Sequence, residues 1–319
     1  MTTLLVASTG GHLKELHHLY ERLDGVEGPF HWVTFDTPQS RSLLAADAVD
    51  YVPFVGGRDP ANVTRNFFQA RRIFGTYEIK AVVSTGSAVA LPYFVIARSH
   101  RLSCHFIESA ARIDGPSLTG KLIARIPGVN LYAQYQRWEC ERWKFKGSVF
   151  DSFECEPRQP LPVDRLEKVV VTLGTYKGYS FSRLVRRLLE VIPFDAEVLW
   201  QTGDTNVGDC GISGHYAIPE RELTEAMRDA DVVIAHAGVG TALAAFEVGQ
   251  CPVLVPRRFS LGEHVDDHQI QVADELARRG LVVTVDADDL SRDDLIEAAG
   301  KKVSRPTQTR AFETLEAAA

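Results

Sequence analysis

The chain has 319 residues, about twice the roughly 150 expected of one domain, so two globular units are the default expectation. Its 45% apolar and 24% charged residues exclude disordered, collagenous and coiled-coil classes. The formal charge of -7 divides unevenly. Residues 1–155 carry 17 Lys/Arg against 15 Asp/Glu, whereas the remainder carries 18 against 27, which excludes the basic face expected of a nucleic-acid partner.

In the first half, β-branched runs predict strands at Leu4–Ala7, Trp32–Phe35, Tyr51–Val55, Ala81–Ser84, Cys104–Ile107 and Leu131–Tyr135, with helical periodicity between them. Asp151–Asp164 contains Pro157, Pro160 and Pro162 and carries neither period, which predicts a linker. The alternation restarts at Lys168–Leu173, Glu197–Gln201, Val232–Ala235, Val253–Pro256 and Val282–Val285, and a last helix is expected near Thr309–Ala317. The expected fold is α/β, with two doubly wound Rossmann-like domains at 1–150 and 167–319 joined by a 151–166 linker. Open sheets of this kind bind ligands beyond the carboxyl ends of their strands, so a cleft between the domains is expected.

Met1 leads directly into a strand-like run without a basic, cleavable leader, and no signal peptide is expected. Ala88–Ala97, the longest apolar run, is too short for a span of about twenty residues. Cys104, Cys140, Cys155, Cys210 and Cys251 fit neither zinc-ligand nor disulfide-scaffold spacing, which points to a reducing cytosol.

The loops after the strands hold the chemistry-bearing residues. Ser8-Thr9-Gly10-Gly11-His12 opens a helix, where paired glycines admit a ligand and free N–H groups favour an anion. It lacks the third glycine of the dinucleotide fingerprint, and a tight turn with His12 at the helix entry is the simpler alternative. Gly174-Thr175-Tyr176-Lys177-Gly178 is a weaker phosphate-loop candidate. The strongest constellation is Val232 to Thr241, where a strand, His236-Ala237-Gly238-Val239-Gly240 and a helix start would meet a diphosphate with N–H groups, the helix dipole and the Thr241 hydroxyl. The polar loop Glu263 to Gln271 could contact a sugar. Its alternative is metal binding, for which His264 and His268 lack a Cys or Glu at a recognised spacing.

From Gly174-Thr175 through His236–Thr241 to Asp267-His268-Gln269, the second half resembles the nucleotide-sugar-binding subunit of the eukaryotic enzyme that adds the second GlcNAc to dolichol-diphosphate-GlcNAc, and bacterial PssE-type exopolysaccharide subunits. The first half, with Ser8–His12, Ser84-Thr85-Gly86-Ser87, Ile107–Arg112 and Ser117–Lys121, is similar to their PssD-type partner subunits. Together they resemble a single-chain GT-B glycosyltransferase related to the MurG-like family 28 type.

The resemblance implies an inverting transferase that moves a sugar from a UDP-sugar to a polyprenyl-diphosphate-linked saccharide, in exopolysaccharide or glycan biosynthesis. Gly174, Thr175, His236, Gly238, Gly240, Thr241, His268 and Gln269 would hold the donor. Gly10, Gly11, Ser84, Gly86, Ser87, Ser109 and Arg112 would lie on the acceptor side. MurG-like enzymes place a ribose-binding Glu where this chain has Ala244, and Glu247, nearly one turn on, is the nearest acidic candidate. Glucuronate, GlcNAc and galactose all remain open as the sugar, with Arg257 or Arg258 available to pair with a glucuronate carboxylate.

A lipid acceptor calls for a peripheral position on the inner face of the cell membrane. The 62–77 segment is the candidate contact, with Phe67, Phe68, Ile73 and Phe74 among Arg65, Arg71 and Arg72; a core-facing helix with a solvated basic side is its alternative. Transfer requires a base for the acceptor hydroxyl. His12 is the first candidate and Glu108 the second, the latter with an Arg112 ion pair as its alternative. Asp286-Ala287-Asp288 reads as a helix N-cap rather than a metal-binding pair, so no cofactor and no essential metal are expected. A UDP-GlcNAc 2-epimerase-like enzyme and a non-catalytic nucleotide-sugar-binding module are the rival functions.

Overall fold

The computed structural model describes residues 1–56, 59–158 and 166–314. They divide into one unit of Met1–Asp151 with the segment from Thr309, and a second of Ser152–Gln308.

The first unit contains strands β1 (Thr2–Ala7), β2 (Leu23–Asp24), β3 (Phe30–Phe35), β4 (Val49–Val52), β5 (Ile79–Gly86), β6 (Ser103–Ile107), β7 (Asn130–Ala133) and β8 (Trp143–Phe145). Its helices are α1 (Gly11–Leu19), α2 (Pro38–Leu43), α3 (Pro60–Thr76), α4 (Ala90–Ser99) and α5 (Leu118–Ile123). Among the described residues the main sheet runs β4-β3-β1-β5-β6-β7-β8, parallel throughout. Helices cover parallel sheets, so the strands read as apolar runs; Leu4, Leu5, Val6, Val82 and Val83 are fully buried. From β1 the main sheet extends to β3 on one side and, after β4, resumes at β5 on the other. The β1/β5 boundary is therefore the switch point where such sheets receive ligands.

The second unit contains β9 (Glu154–Pro157), β10 (Lys168–Thr172), β11 (Glu197–Gln201), β12 (Gly214–His215), β13 (Val232–His236), β14 (Val253–Val255), β15 (Val283–Thr284) and β16 (Lys301–Ser304). It also has α6 (Ser182–Val191), α7 (Glu220–Asp229), α8 (Val239–Glu247), α9 (His268–Arg278) and α10 (Arg292–Ala299). Its parallel sheet runs β12-β11-β10-β13-β14-β15, with the switch point between β10 and β13. Both candidate glycine loops of this unit sit at that point.

Three expectations need correction. The Tyr51–Val55 strand ends at Val52, because Pro53 has no N–H to continue the ladder. Of the expected linker, Asp151 and Ser152 end a 3-10 turn that starts at Val149, and Glu154–Pro157 pair antiparallel with Lys301–Ser304; residues 159–165 lie outside the described residues. In place of a terminal helix, β17 (Phe312–Glu313) pairs parallel with β2, and Phe312 is fully buried; residues 315–319 lie outside the description.

Helix α3 is capped by Asp59, which accepts from Asn62 N–H, and has Pro60 at its first position. It divides the residues expected to reach a membrane: Ile73 is buried and Phe67 and Phe74 pack on the core, while Phe68 is exposed with Arg65, Arg71 and Arg72. Arg72 also pairs with Asp50 at 2.7 Å. No helix among the described residues is long and apolar enough to cross a membrane.

Candidate active site

In the first unit, the start of α1 after β1, the end of β5 and the loop after β6 bring His12, Thr85 and Ser109 to the carboxyl edge of adjacent central strands. Gly10 caps α1 with φ +89°, and its N–H donates to Gln39 Oε1 at 2.6 Å. Thr85 holds His12 from both sides. Its carbonyl lies 2.8 Å from His12 Nδ1, and its hydroxyl donates to the His12 carbonyl at 2.7 Å. With Nδ1 donating, the tautomer leaves the lone pair on Nε2, the atom free to take a proton. Burial lowers the His12 pKa to about 4, with the Arg112 charge acting in the same direction against the Thr85 bond. Gly86 is required beside it, since a Cβ there would lie 3.2 Å from His12 Cε1 in a backbone of φ +108°. Ser84 is buried and accepts from Gly86 N–H, while Ser87 is half-buried.

Glu108 is placed otherwise than expected of a base. It is 1% exposed and accepts from Ser117 N–H, Ser117 Oγ and Ser109 N–H, bracing the start of α5. Burial raises its pKa against those bonds and against the Arg112 charge, which acts to lower it. Its neighbour Glu15 escaped the sequence reading. Ser109 Oγ, Ala110 N–H and Gln134 Nε2 donate to it at 2.7, 2.8 and 3.0 Å, yet burial raises its pKa to about 7. The available signal was its position three residues after His12, on the same helix face. Ser109 thus serves this buried network, and Arg112 stays half-buried near His12.

In the second unit, Gly174, the first turn of α8 and His236 converge. The His236 ring is half-buried, with Nδ1 3.4 Å from the Thr172 carbonyl, and burial together with the Arg257 charge lowers its pKa to about 3. A Cβ on Gly238 would come within 2.5 Å of His236 Nε2, so that position admits no side chain. Helix α8 then opens at Val239 and Gly240, where the first N–H groups lack intrahelical acceptors, and half-buried Thr241 follows. Thr175 and Lys177 are exposed on the loop after β10.

Arg257 is 4% exposed and donates to the carbonyls of Leu173, Tyr179 and Glu263 at 2.7–3.1 Å, with its guanidinium 4.9 Å above the Phe181 ring. It fastens the loop after β10 to the loop after β14. Arg258 pairs with Asp286, so neither arginine offers the unengaged guanidinium expected for a glucuronate carboxylate. Gln269 is 2% exposed and accepts from Arg257 N–H, which makes it a support for the loop. His268 begins α9, half-buried, with Nδ1 against Asp266. Glu247 is exposed at the far end of α8, roughly 12 Å along the axis from the glycine turn at 1.5 Å per residue, and is not brought to the loops. The N-cap reading of Asp286 and Asp288 also fails. Ser291 caps α10 with Asp294, whereas Asp286 binds Arg183 and Arg258 and Asp288 binds Arg183.

A relative from Shewanella baltica strain OS185, a UDP-N-acetylglucosamine--N-acetylmuramyl-(pentapeptide) pyrophosphoryl-undecaprenol N-acetylglucosamine transferase, is 27% identical over 301 residues, covering 87% of this chain and 81% of the relative. The fold is similar to that of Acinetobacter baumannii MurG, with TM-score 0.57, 19% identity and 93% and 89% of the two chains covered. It is also similar to the UDP-GlcNAc 2-epimerase of Methanocaldococcus jannaschii, with TM-score 0.58, 10% identity and 99% and 97% covered. Residues 168–318 match the Glycosyltransferase family 28 C-terminal domain, and the chain that carries this domain is a glycosyltransferase of the GT-B fold.

Proposed function

We propose that the protein is an inverting transferase that moves a sugar from a UDP-sugar to a lipid-diphosphate-linked saccharide at the inner face of the cell membrane, in exopolysaccharide or glycan biosynthesis. The observation that carries this reading is the turn from His236 through Gly238 to Thr241 at the start of α8, inside the family-matched region. There the uridine diphosphate would meet N–H groups of the first turn, the helix dipole and the Thr241 hydroxyl. These donors stabilise the charge that grows on the leaving diphosphate. His236, half-buried and neutral, packs the glycines without placing another charge beside it.

On the acceptor unit His12 is the base. Thr85 fixes its Nδ1–H, and Nε2 takes the proton from the sugar hydroxyl as that oxygen attacks the anomeric carbon. Glu108 and Glu15 are positioning groups that hold the loop after β6. GlcNAc leads as the transferred sugar, since the curated relative transfers it and Arg257 and Arg258 are engaged elsewhere. Membrane contact falls to Phe68 with Arg65 and Arg71 on α3. No metal is required for transfer, because Asp286 and Asp288 are tied to arginines. EDTA does not lower the rate; a loss restored by Mn²⁺ or Mg²⁺ contradicts this.

The test is incubation with radiolabelled UDP-sugars and membranes. Label in the lipid fraction supports the reading; free monosaccharide with UDP indicates epimerase-type chemistry, and binding without turnover a recruiting module.

A further inference from the structure

The loop between β14 and α9 holds a side-chain cluster that the transfer reaction does not use as a unit. His264, Asp266 and His268 each offer a ligand atom, all within 4.8 Å of one another. Both imidazoles turn Nδ1 toward the same carboxylate oxygen: His264 Nδ1 lies 3.6 Å from Asp266 Oδ1, and His268 Nδ1 is in direct contact with it. The rings stand edge to face, with centroids 4.7 Å apart.

The second observation concerns His264 alone. Its side chain is 9% exposed, and its Nδ1 is buried with no hydrogen-bond partner. Leaving such a nitrogen unpaired costs about 1–3 kcal/mol, which a ligand would relieve. The Tyr176 and Tyr179 rings flank the imidazole, with centroids 5.6 and 5.8 Å from it.

From this convergence we infer that His264, Asp266 and His268 form a binding site for one borderline divalent cation of the Zn²⁺ class. Two imidazole nitrogens and one carboxylate oxygen suit Zn²⁺, Co²⁺ or Ni²⁺ better than Mg²⁺, which takes oxygen ligands. Bonds of about 2.0–2.1 Å in a tetrahedral arrangement separate ligand atoms by roughly 3.3 Å, so the widest pair of the cluster closes by roughly 1.5 Å while His268 Nδ1 and Asp266 Oδ1 move apart. The loop can supply that movement, because His264 to Asp267 precede the helix without regular structure. Three protein ligands leave a fourth position for water or a substrate oxygen. The Arg257 guanidinium, the charged group beside His264, opposes the cation and sets the site against very tight binding.

The site adds a property to the proposed transferase without being needed for transfer: a bound metal draws His268 away from the donor and lowers turnover. Only this last effect rests on the donor assignment. The binding test does not.

Calorimetric titration of the full chain with Zn²⁺ should give one site. His264→Gln and Asp266→Asn should each weaken it at least ~10-fold, the lower end of what loss of even an indirect metal contact costs. Mg²⁺ should give no heat at the same concentrations. Should His264→Gln fail to fold, half-buried His268→Gln carries the same expectation. With Co²⁺ the spectrum should lack a sulfur-to-metal band. Absence of a one-to-one Zn²⁺ site, affinity unchanged in both His264→Gln and Asp266→Asn, or a sulfur band placing the metal on the free cysteines would each overturn the proposal.

Discussion

His12 gives the sharpest prediction, because its environment fixes both its tautomer and its titration. The Thr85 carbonyl at 2.8 Å holds the proton on Nδ1, and burial lowers the pKa to about 4. A base must be neutral to act, so activity requires pH above the folded-state value. At pH 5 an imidazole of pKa about 4 is about nine-tenths neutral, while one at the ordinary 6.5 is only about 3% neutral. Between pH 7.5 and 5, kcat limited by His12 should therefore fall by only about a tenth, against roughly thirtyfold for an unperturbed histidine. His12→Ala should lower kcat by about 10²–10⁴ while leaving UDP affinity near wild type, the range expected for loss of a general base. Lipid-extraction rates over pH 4–8, paired with UDP binding measured by calorimetry, read both quantities. A His12→Ala kcat within about threefold of wild type, or a wild-type acid limb near pH 6.5, would refute the reasoning.

Glu15 ties pH to stability. Its carboxyl has a folded pKa of about 7 against an ordinary 4.5, so the folded state keeps a proton that the unfolded chain releases, and stability falls as pH rises through that window. The shift corresponds to roughly 3 kcal/mol, and Glu15→Gln should flatten the difference between urea midpoints at pH 4.5 and 7.5; an unchanged slope would remove Glu15 from the account. Gly238→Ala forces a methyl within 2.5 Å of His236 Nε2 and should weaken UDP binding at least tenfold, as read by calorimetry. On α3, Arg65→Gln with Arg71→Gln should weaken binding to anionic vesicles by roughly fivefold per residue, since each basic group near such a surface is worth about 1 kcal/mol. Equal co-sedimentation of this variant and wild type would move the membrane contact elsewhere.

What was legible in the sequence were the interior strands and the glycine turns that follow them. Runs such as Val169-Val170-Val171 are buried on both faces of a parallel sheet and announce themselves by composition alone. Trp143–Phe145, Glu154–Pro157 and Phe312–Glu313 did not, because short edge strands owe their conformation to a distant partner: Cys155 pairs with Val303, and Phe312 with Leu23. The same division holds at the candidate site. Gly238 and Gly86 are readable as places where backbone must come close, whereas Thr85 acts on His12 across 73 residues and Glu15 on Ala110 across 95. Arg257 looked like a ligand for a substrate carboxylate because sequence shows a charge but not the three carbonyls that occupy it. Glu247 failed for a geometric reason, lying at the wrong end of a helix whose start carries the chemistry.

The central claim is that this chain transfers a sugar to lipid. The most direct measurement incubates the purified full chain with UDP-[¹⁴C]GlcNAc, in parallel with UDP-glucuronate and UDP-galactose, and bacterial membranes, then extracts the lipid and counts it. The account predicts time-dependent label in the lipid fraction from UDP-GlcNAc, undiminished by EDTA and lost in His12→Ala. Label that stays in the aqueous phase as nucleotide sugar or free monosaccharide for every donor would contradict it.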